Sequence, residues 1–372
     1  MTASGTDRVR FVDLPAQAEV LGDELRDAVW RVVQRGAFIL GEEVGEFEAE
    51  FARYCGVAHA VGVDSGFSAL ELTLRAMDLP AGGEVVTQAN TFIATPAAIE
   101  AAGLRPVLVD CDEEGAFELS RLMAAVNERT VALMPVHLFG RVGDIDVLVE
   151  QAQARGLPVV EDACQAHGAV WHGRRAGSFG LAGAFSFYPA KNLGAFGDGG
   201  MVVTGSDDLA ERLRLLRNYG ARDKYEHEVT PMNRRLDTIH AAALLVKLRH
   251  LDGWNRQRQY LADAYREHLR DLPLGLPAPD AEGRHVYHLF VVQVEDRDGL
   301  RAALAEAGIE TGVHYPVPCH LQPALADLGY RRGDFPNAER LAAHSLSLPM
   351  YPEMGVAVVE RVAGAIRQHL AR

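Results

Sequence analysis

Between residues 59 and 204, short apolar runs alternate with helical segments, and no other feature of the chain limits its fold as much. The runs His59–Val63, Glu84–Thr87, Pro106–Asp110, Val131–Val136 and Pro158–Glu161 are too short for helices and read as strands. The stretches Ser68–Met77, Pro96–Ala102 and Asp146–Arg155 carry helical spacing. Ala184–Phe187 and Gly200–Thr204 read as two more strands. A strand followed by a crossover helix and another strand builds a parallel sheet with helices on its faces. The spacing therefore predicts an α/β fold with a mainly parallel central sheet.

The flanks read differently. Leu21, Leu25, Val29, Val32 and Val33 fall on one face of a predicted helix over Glu19–Gln34, and a second helix is expected over Glu42–Tyr54. Helices return at Ala241–Leu251 and Trp254–Leu269. The proline-rich stretch 272–279 reads as a connection. A strand over Val286–Val294 and helices over Gly299–Ala307 and Val356–Leu370 follow. With 372 residues the chain exceeds one ordinary core. We expect a large α/β domain over 1–245 and a smaller α+β domain over 246–372.

Composition removes several classes of function. The 37 basic and 51 acidic residues give a net charge of −14, which disfavours non-specific binding to nucleic acid or anionic membranes. Cys55, Cys111, Cys164 and Cys319 form no C-x-x-C pair, so neither a zinc ribbon nor a disulfide framework is indicated. That usage, with an N-terminus lacking a signal-peptide layout, leads us to expect a cytoplasmic protein. No apolar run has the length of a membrane span. Gly168–Arg175 has P-loop glycine spacing without its Lys-[Ser/Thr] ending, the glycines of 194–200 do not match G-x-G-x-x-G, and H-E-x-x-H is absent. No metal site is expected.

Ligands of an open α/β sheet sit beyond the carboxyl ends of its strands. Four polar stretches fall there. Asp64-Ser65-Gly66-Phe67-Ser68 joins a strand to a helix, and a helix N-terminus favours an anion. In Val159-Val160-Glu161-Asp162-Ala163-Cys164-Gln165 an apolar strand runs into two carboxylates, suited to a buried cation. Ser186-Phe187-Tyr188-Pro189-Ala190-Lys191 sets a lysine among apolar and small residues, which lowers its pKa and suits imine formation. The fourth is the polar loop ending in Asn233-Arg234-Arg235-Leu236-Asp237. Each stretch alone has an ordinary structural reading, as a cap, a solvated acid or an exposed turn. Together they meet the requirements of pyridoxal 5′-phosphate (PLP): a lysine for an imine, an acid for the ring nitrogen and a helix start for the phosphate.

These residues resemble the DegT/DnrJ/EryC1/StrS sugar-nucleotide aminotransferases. The resemblance runs from Phe11-Val12-Asp13-Leu14 to the last helix and is most specific at Glu161–Gly168 and Ser186–Gly200. Pro135–Gly140, His314-Tyr315-Pro316 and Leu348–Pro352 carry it further. It implies the fold type I of PLP-dependent aminotransferases. It implies that Lys191 carries PLP as an imine and moves the proton, that Asp162 pairs with the ring nitrogen, and that Gln165 bonds the phenolic oxygen. By the same resemblance Phe92 stacks on the ring, and Ser186 binds the phosphate beside Gly66, Phe67 and Ser68. Asn233 reaches a neighbour's phosphate across a homodimer interface.

The family's usual Ser-Gly-Thr turn is here Ser65-Gly66-Phe67-Ser68, its frequent Gly-Tyr-Asn is Pro231-Met232-Asn233, and His240 stands for a common glutamine. The implied reaction moves an amino group from L-glutamate to a nucleotide-linked keto sugar. Asn218-Tyr219-Gly220 and Lys224-Tyr225-Glu226-His227 look like members that aminate C-3 of a dTDP-3-keto-6-deoxyhexose, as in antibiotic deoxysugar biosynthesis. Tyr188, Lys224, His314, Tyr315 and His320 are the side chains expected near the sugar or its diphosphate. C-4 aminating and aminocyclitol aminotransferases stay open as alternatives. A related dehydratase would have histidine in place of Lys191, and a non-catalytic regulator would not need the Lys191, Asp162, Gln165 and Ser186 set.

Overall fold

The computed structural model describes residues 8–223, 226–229, 232–279 and 282–371. Its centre is a sheet built from β1 (His59–Val63), β2 (Glu84–Gln88), β3 (Arg105–Val109), β4 (Thr130–Met134), β5 (Val160–Asp162), β6 (Ala182–Ser186) and β7 (Gly200–Thr204). β2 pairs in parallel with β3 and β4, and β5 in parallel with β6. The parallel bridges Leu133–Val159 and Val136–Asp162 join the two groups. The order is thus β3-β2-β4-β5-β6-β7-β1, and only β7 runs antiparallel to its neighbours. The expected parallel sheet is present with that one reversal. β7 follows β6 through a loop rather than a crossover helix, so it must return in the opposite sense.

Helices cover both faces, as a sheet with buried strands requires. On one side Phe47 and Phe51 of helix Glu42–Cys55 pack edge-on against Phe185 and Phe187. On the other, Leu70, Leu72 and Leu74 of helix Gly66–Ala76 share a core with Val61, Ala184 and Val202. A separate apolar cluster draws on Val9 and on residues after 260, including Leu261, Tyr265, Phe290, Leu300 and Val362. It is built around the antiparallel pair β8 (Phe290–Gln293) and β9 (Ser345–Leu348). No helix among the described residues is long and apolar enough to cross a membrane.

Several elements differ from the sequence reading. The first helix is broken at Leu21 into Leu14–Val20 and Gly22–Arg35. The strand expected over Val286–Val294 contracts to Phe290–Gln293. Tyr287 sits at φ 43°, and Val286 and His288 donate their N–H groups to Gly140 and Phe139 instead of to a strand. The stretch 272–279 is no open connector. Gly275 exchanges both backbone bonds with Gln293, and Leu272, Leu274 and Leu276 pack on the second core. Helices Asp207–Arg217 and Pro336–His344 had no counterpart in the sequence reading.

One tie between the two regions has a measurable consequence. Asp110, buried at the end of β3, accepts hydrogen bonds from the backbone N–H groups of Asn337 and Ala338 at the start of helix Pro336–His344. A carboxylate there satisfies two orphan donors and opposes the helix dipole. Asp110→Ala should therefore lower unfolding stability by about 2 kcal/mol, read as a reduced urea midpoint at an unchanged slope.

Candidate active site

Where the strands end, residues from five of them meet around one cavity of about 490 Å³, a size that suits a small ligand. The turn after β1 contributes Ser65, Gly66 and Phe67, and the segment after β2 contributes Thr91, Phe92 and Thr95. Val136 follows β4, Asp162, Cys164 and Gln165 close β5, and Ser186 ends β6. Tyr188, Lys191 and Asp198 come from the loop between β6 and β7. Phe11, His288, His314 and Tyr315 complete the wall from the N-terminal segment and the C-terminal region.

Strand alternation separates the two acids expected at the end of β5. Glu161 points away from the cavity and is fully buried. It pairs with His137 Nε2 at 2.9 Å and accepts backbone N–H bonds from Gly177, Phe179 and Gly180 at 2.7–2.8 Å. Its work is to fix the 177–180 turn. Asp162 points into the cavity. Its Oδ2 accepts from Thr95 Oγ1 at 2.7 Å and its Oδ1 from the Cys164 N–H at 3.2 Å. Thr95 in turn bonds Thr91 at 2.8 Å. Neither threonine was singled out from sequence, where nothing distinguishes them from core threonines.

Lys191 lies in the same cavity. Burial lowers its pKa, only partly offset by Cys164 and Asp162. A larger fraction of it is thus a free amine than for a lysine in water, the form that attacks a carbonyl. The Lys191 backbone N–H donates to the Tyr188 carbonyl, and bonds Phe187 N–Gly199 O and Ala195 N–Phe187 O close the loop beneath it.

The helix Gly66–Ala76 opens on Ser65, whose Oγ accepts from the Ser68 N–H at 3.1 Å. The N–H groups of Gly66 and Phe67 have no place in the helix ladder, and both residues border the cavity. A side chain at Gly66 would come within 2.6 Å of Ser186 Cβ, so only glycine lets the turn lie against β6. Ser68 itself is buried behind the turn, its hydroxyl bonded to Ser65 and outside the cavity wall. Half-buried Ser65 lines the cavity, where the sequence reading expected Ser68 beside the phosphate.

The remaining expected residues divide. Phe92 is half exposed and lies 5.2 Å from the Tyr315 ring. Gln165 accepts from the Phe139 N–H at 2.7 Å and donates to the Tyr315 hydroxyl at 3.1 Å. His314 bonds Ser347 at 2.8 Å and stacks on Phe11, and burial, with Lys191 nearby, lowers its pKa to about 4. Tyr188 is exposed at the mouth. His320 is a correction: its ring is buried against Phe335, pairs with Glu339 at 3.0 Å and is absent from the cavity wall. The prolines around it suggested a substrate loop; His314 and Tyr315 do reach the cavity, but Pro318, Cys319 and His320 are buried away from it. Asn233 is exposed outside the cavity of its own chain. Lys224 lies outside the described residues. His288 and Phe11 line the cavity without having been assigned a role; Phe11 begins the stretch that carries the family resemblance, whereas no sequence signal marks His288. Among the described residues no cluster of His, Cys, Asp or Glu could hold a metal ion.

A desolvated lysine, a buried acid held by two hydrogen bonds, and a bare helix start around one small cavity fit the donor set that PLP needs. Comparison with known proteins points the same way. A dTDP-3-amino-3,4,6-trideoxy-alpha-D-glucose transaminase of Streptomyces venezuelae is 48% identical over 99% of this chain and 97% of its own. The crystal structure of S. venezuelae DesV in complex with a ketimine intermediate superposes with a TM-score of 0.96, at 48% identity over 99% of this chain and 100% of that one. NtdA of Bacillus subtilis, solved with bound cofactor PMP, is 26% identical with a TM-score of 0.91, covering 100% of this chain and 87% of its own. The family match extends over residues 19–367, and the chain belongs to the DegT/DnrJ/EryC1/StrS aminotransferase family.

Proposed function

We propose that this aminotransferase uses PLP to move an amino group from L-glutamate to a nucleotide-linked keto sugar, a dTDP-3-keto-6-deoxyhexose in amino-deoxysugar biosynthesis. The observation that carries this reading is the placing of Lys191, Asp162 and the Ser65–Phe67 turn around one cavity. The high identity to the S. venezuelae transaminase supports the C-3 amino sugar over the C-4 and aminocyclitol alternatives. The presence of lysine at 191 also speaks against a dehydratase.

Bound PLP supplies an electron sink for the carbanion formed at the carbon that gains or loses the amine. The protein does the rest. Lys191 Nζ would hold the cofactor, and as a free amine would accept and return the proton at the reacting carbon. Asp162 Oδ2, aligned by Thr95, would pair with the ring nitrogen and favour its cationic form. Phe92 would cover the ring's apolar face, and Gln165, bonded to Tyr315, would hold its phenolic oxygen. Ser65, Ser186 and the Gly66 and Phe67 N–H groups would bind the phosphate. Tyr188, His314 and Tyr315 border the space left for the sugar, and Lys224 belongs to the same group by sequence. Asn233, exposed on its own chain, reaches the phosphate of a second copy, which makes the working unit a homodimer.

Purified protein should absorb visible light through its Lys191-bound cofactor, and L-glutamate should bleach that band. A dTDP-linked 3-keto-6-deoxyhexose should restore it faster than a 4-keto isomer. An unchanged spectrum with glutamate would reject the donor, and faster recovery with the 4-keto sugar would reject the C-3 assignment.

A further inference from the structure

The cavity wall holds a second carboxylate that the reaction above does not use. Asp198 lines the cavity with Lys191 and Tyr188, yet is exposed rather than buried at the floor. Among the described residues nothing hydrogen-bonds or ion-pairs with it. Its backbone is not free to swing. The Gly199 carbonyl accepts from the Phe187 N–H at 2.7 Å, and Ala195 donates its N–H to the Phe187 carbonyl at 2.8 Å, so the loop from 188 to 199 is closed at its base. Side chains at Gly197 and Gly199 would meet the His240 ring and Leu236 at 3.1 Å, and one at Gly200 would meet the Ser65 carbonyl at 2.2 Å. The glycines on either side thus press the backbone down and leave Asp198 as the projecting side chain of this tip.

A pinned, unpaired carboxylate at a cavity mouth is an acceptor waiting for a donor. Among the described residues the cavity offers it no paired cation: Lys191 is the one lysine or arginine of the wall there, and burial drives it toward the neutral amine. Burial likewise lowers the pKa of His288 and His314. Like charge disfavours an anionic partner, so the sugar's diphosphate and a glutamate carboxylate fit poorly beside Asp198. A neutral hydroxyl fits. Resting on the aminotransferase reading above, we infer that Asp198 accepts a hydrogen bond from a ring hydroxyl of the keto sugar, orients its carbonyl toward the reacting centre, and places the diphosphate on the far side of the mouth. The residue is a specificity element of the second half-reaction only.

The two half-reactions can be followed separately in the holoenzyme by stopped-flow absorbance. Asp198→Ala should weaken apparent binding of the dTDP-3-keto-6-deoxyhexose in the recovery phase by about 10- to 100-fold, the range for a hydrogen bond to a charged group. Asp198→Asn, which keeps a carbonyl oxygen as acceptor, should lose less. Both variants should slow bleaching by glutamate far less than recovery by sugar. Thymidine diphosphate, which carries no hexose hydroxyl, should bind wild type and variants alike in a calorimetric titration. Equal slowing of both half-reactions, or weaker binding of thymidine diphosphate, would overturn the inference and assign Asp198 a structural or diphosphate role. Undiminished sugar recovery in Asp198→Ala would overturn it as well. A wild-type enzyme that glutamate does not bleach would instead fail the donor assignment, a separate result.

Discussion

Lys191→Ala should lose at least about 10,000-fold in turnover, because the substitution removes the covalent anchor and the proton carrier together. The fold should survive it. The lysine contributes no side-chain hydrogen bond to the core, and its burial is a cost that alanine relieves. Borohydride treatment followed by peptide mapping should fix the cofactor to residue 191 in the wild type and nowhere in the variant. A reduced adduct at another lysine would remove Lys191 from the mechanism. The lowered pKa adds a second readout. As pH falls through that value the amine becomes an ammonium and can no longer capture a carbonyl. Addition of PLP to the cofactor-free protein should therefore slow as pH falls, with its midpoint below that of a free lysine. The midpoint would instead lie above that of a free lysine if Lys191 were stabilised as a cation by an acid partner.

Much of this site could be read from the chain because its residues stand at strand ends, and strand ends are marked by short-range patterns. Asp162 follows an apolar run, Ser65-Gly66 separates a strand from a helix, and Lys191 lies between two strands. Those marks place residues at the ligand-bearing edge of a sheet before any tertiary contact is known. The roles given to them came from the family resemblance. What was not legible depends on tertiary packing. Thr95 becomes the second ligand of Asp162 only because helix Ala94–Ala101 begins beside β5. Glu161 and Asp162 look equivalent in sequence, and only the pleat sends one into the core. His320 sits among prolines, as an exposed loop residue would, yet Glu339 and Phe335 arrive from a later helix and bury it. The reversal of β7 was likewise open, since a strand's direction is not written in its apolar pattern. Helix Pro336–His344 was missed because Asp110, far away in sequence, caps it.

Asp162→Asn tests the charge at the cavity floor without changing the shape of the side chain. The amide oxygen can keep the bond from Thr95 Oγ1 or from the Cys164 N–H, so the local geometry in this buried place should hold. What is lost is the negative charge. A carboxylate beside a buried cationic nitrogen shifts that nitrogen's pKa by about 1–3 units. Each unit is a tenfold change in the protonated fraction, so the variant should lose about 10- to 1,000-fold in the rate of bleaching by glutamate. Cofactor should still be trapped at residue 191 by borohydride, because Lys191 retains its amine. That combination separates an electronic role from a structural one. If Asp162 merely held the turn, asparagine would sustain near-normal bleaching, and a rate within about threefold of wild type would end the assignment. Thr95→Val should mimic the loss weakly, since it leaves the charge in place and frees only its orientation. The ranking Asp162→Asn well below Thr95→Val, with both still loaded with cofactor, is the pattern a charge-pairing acid requires.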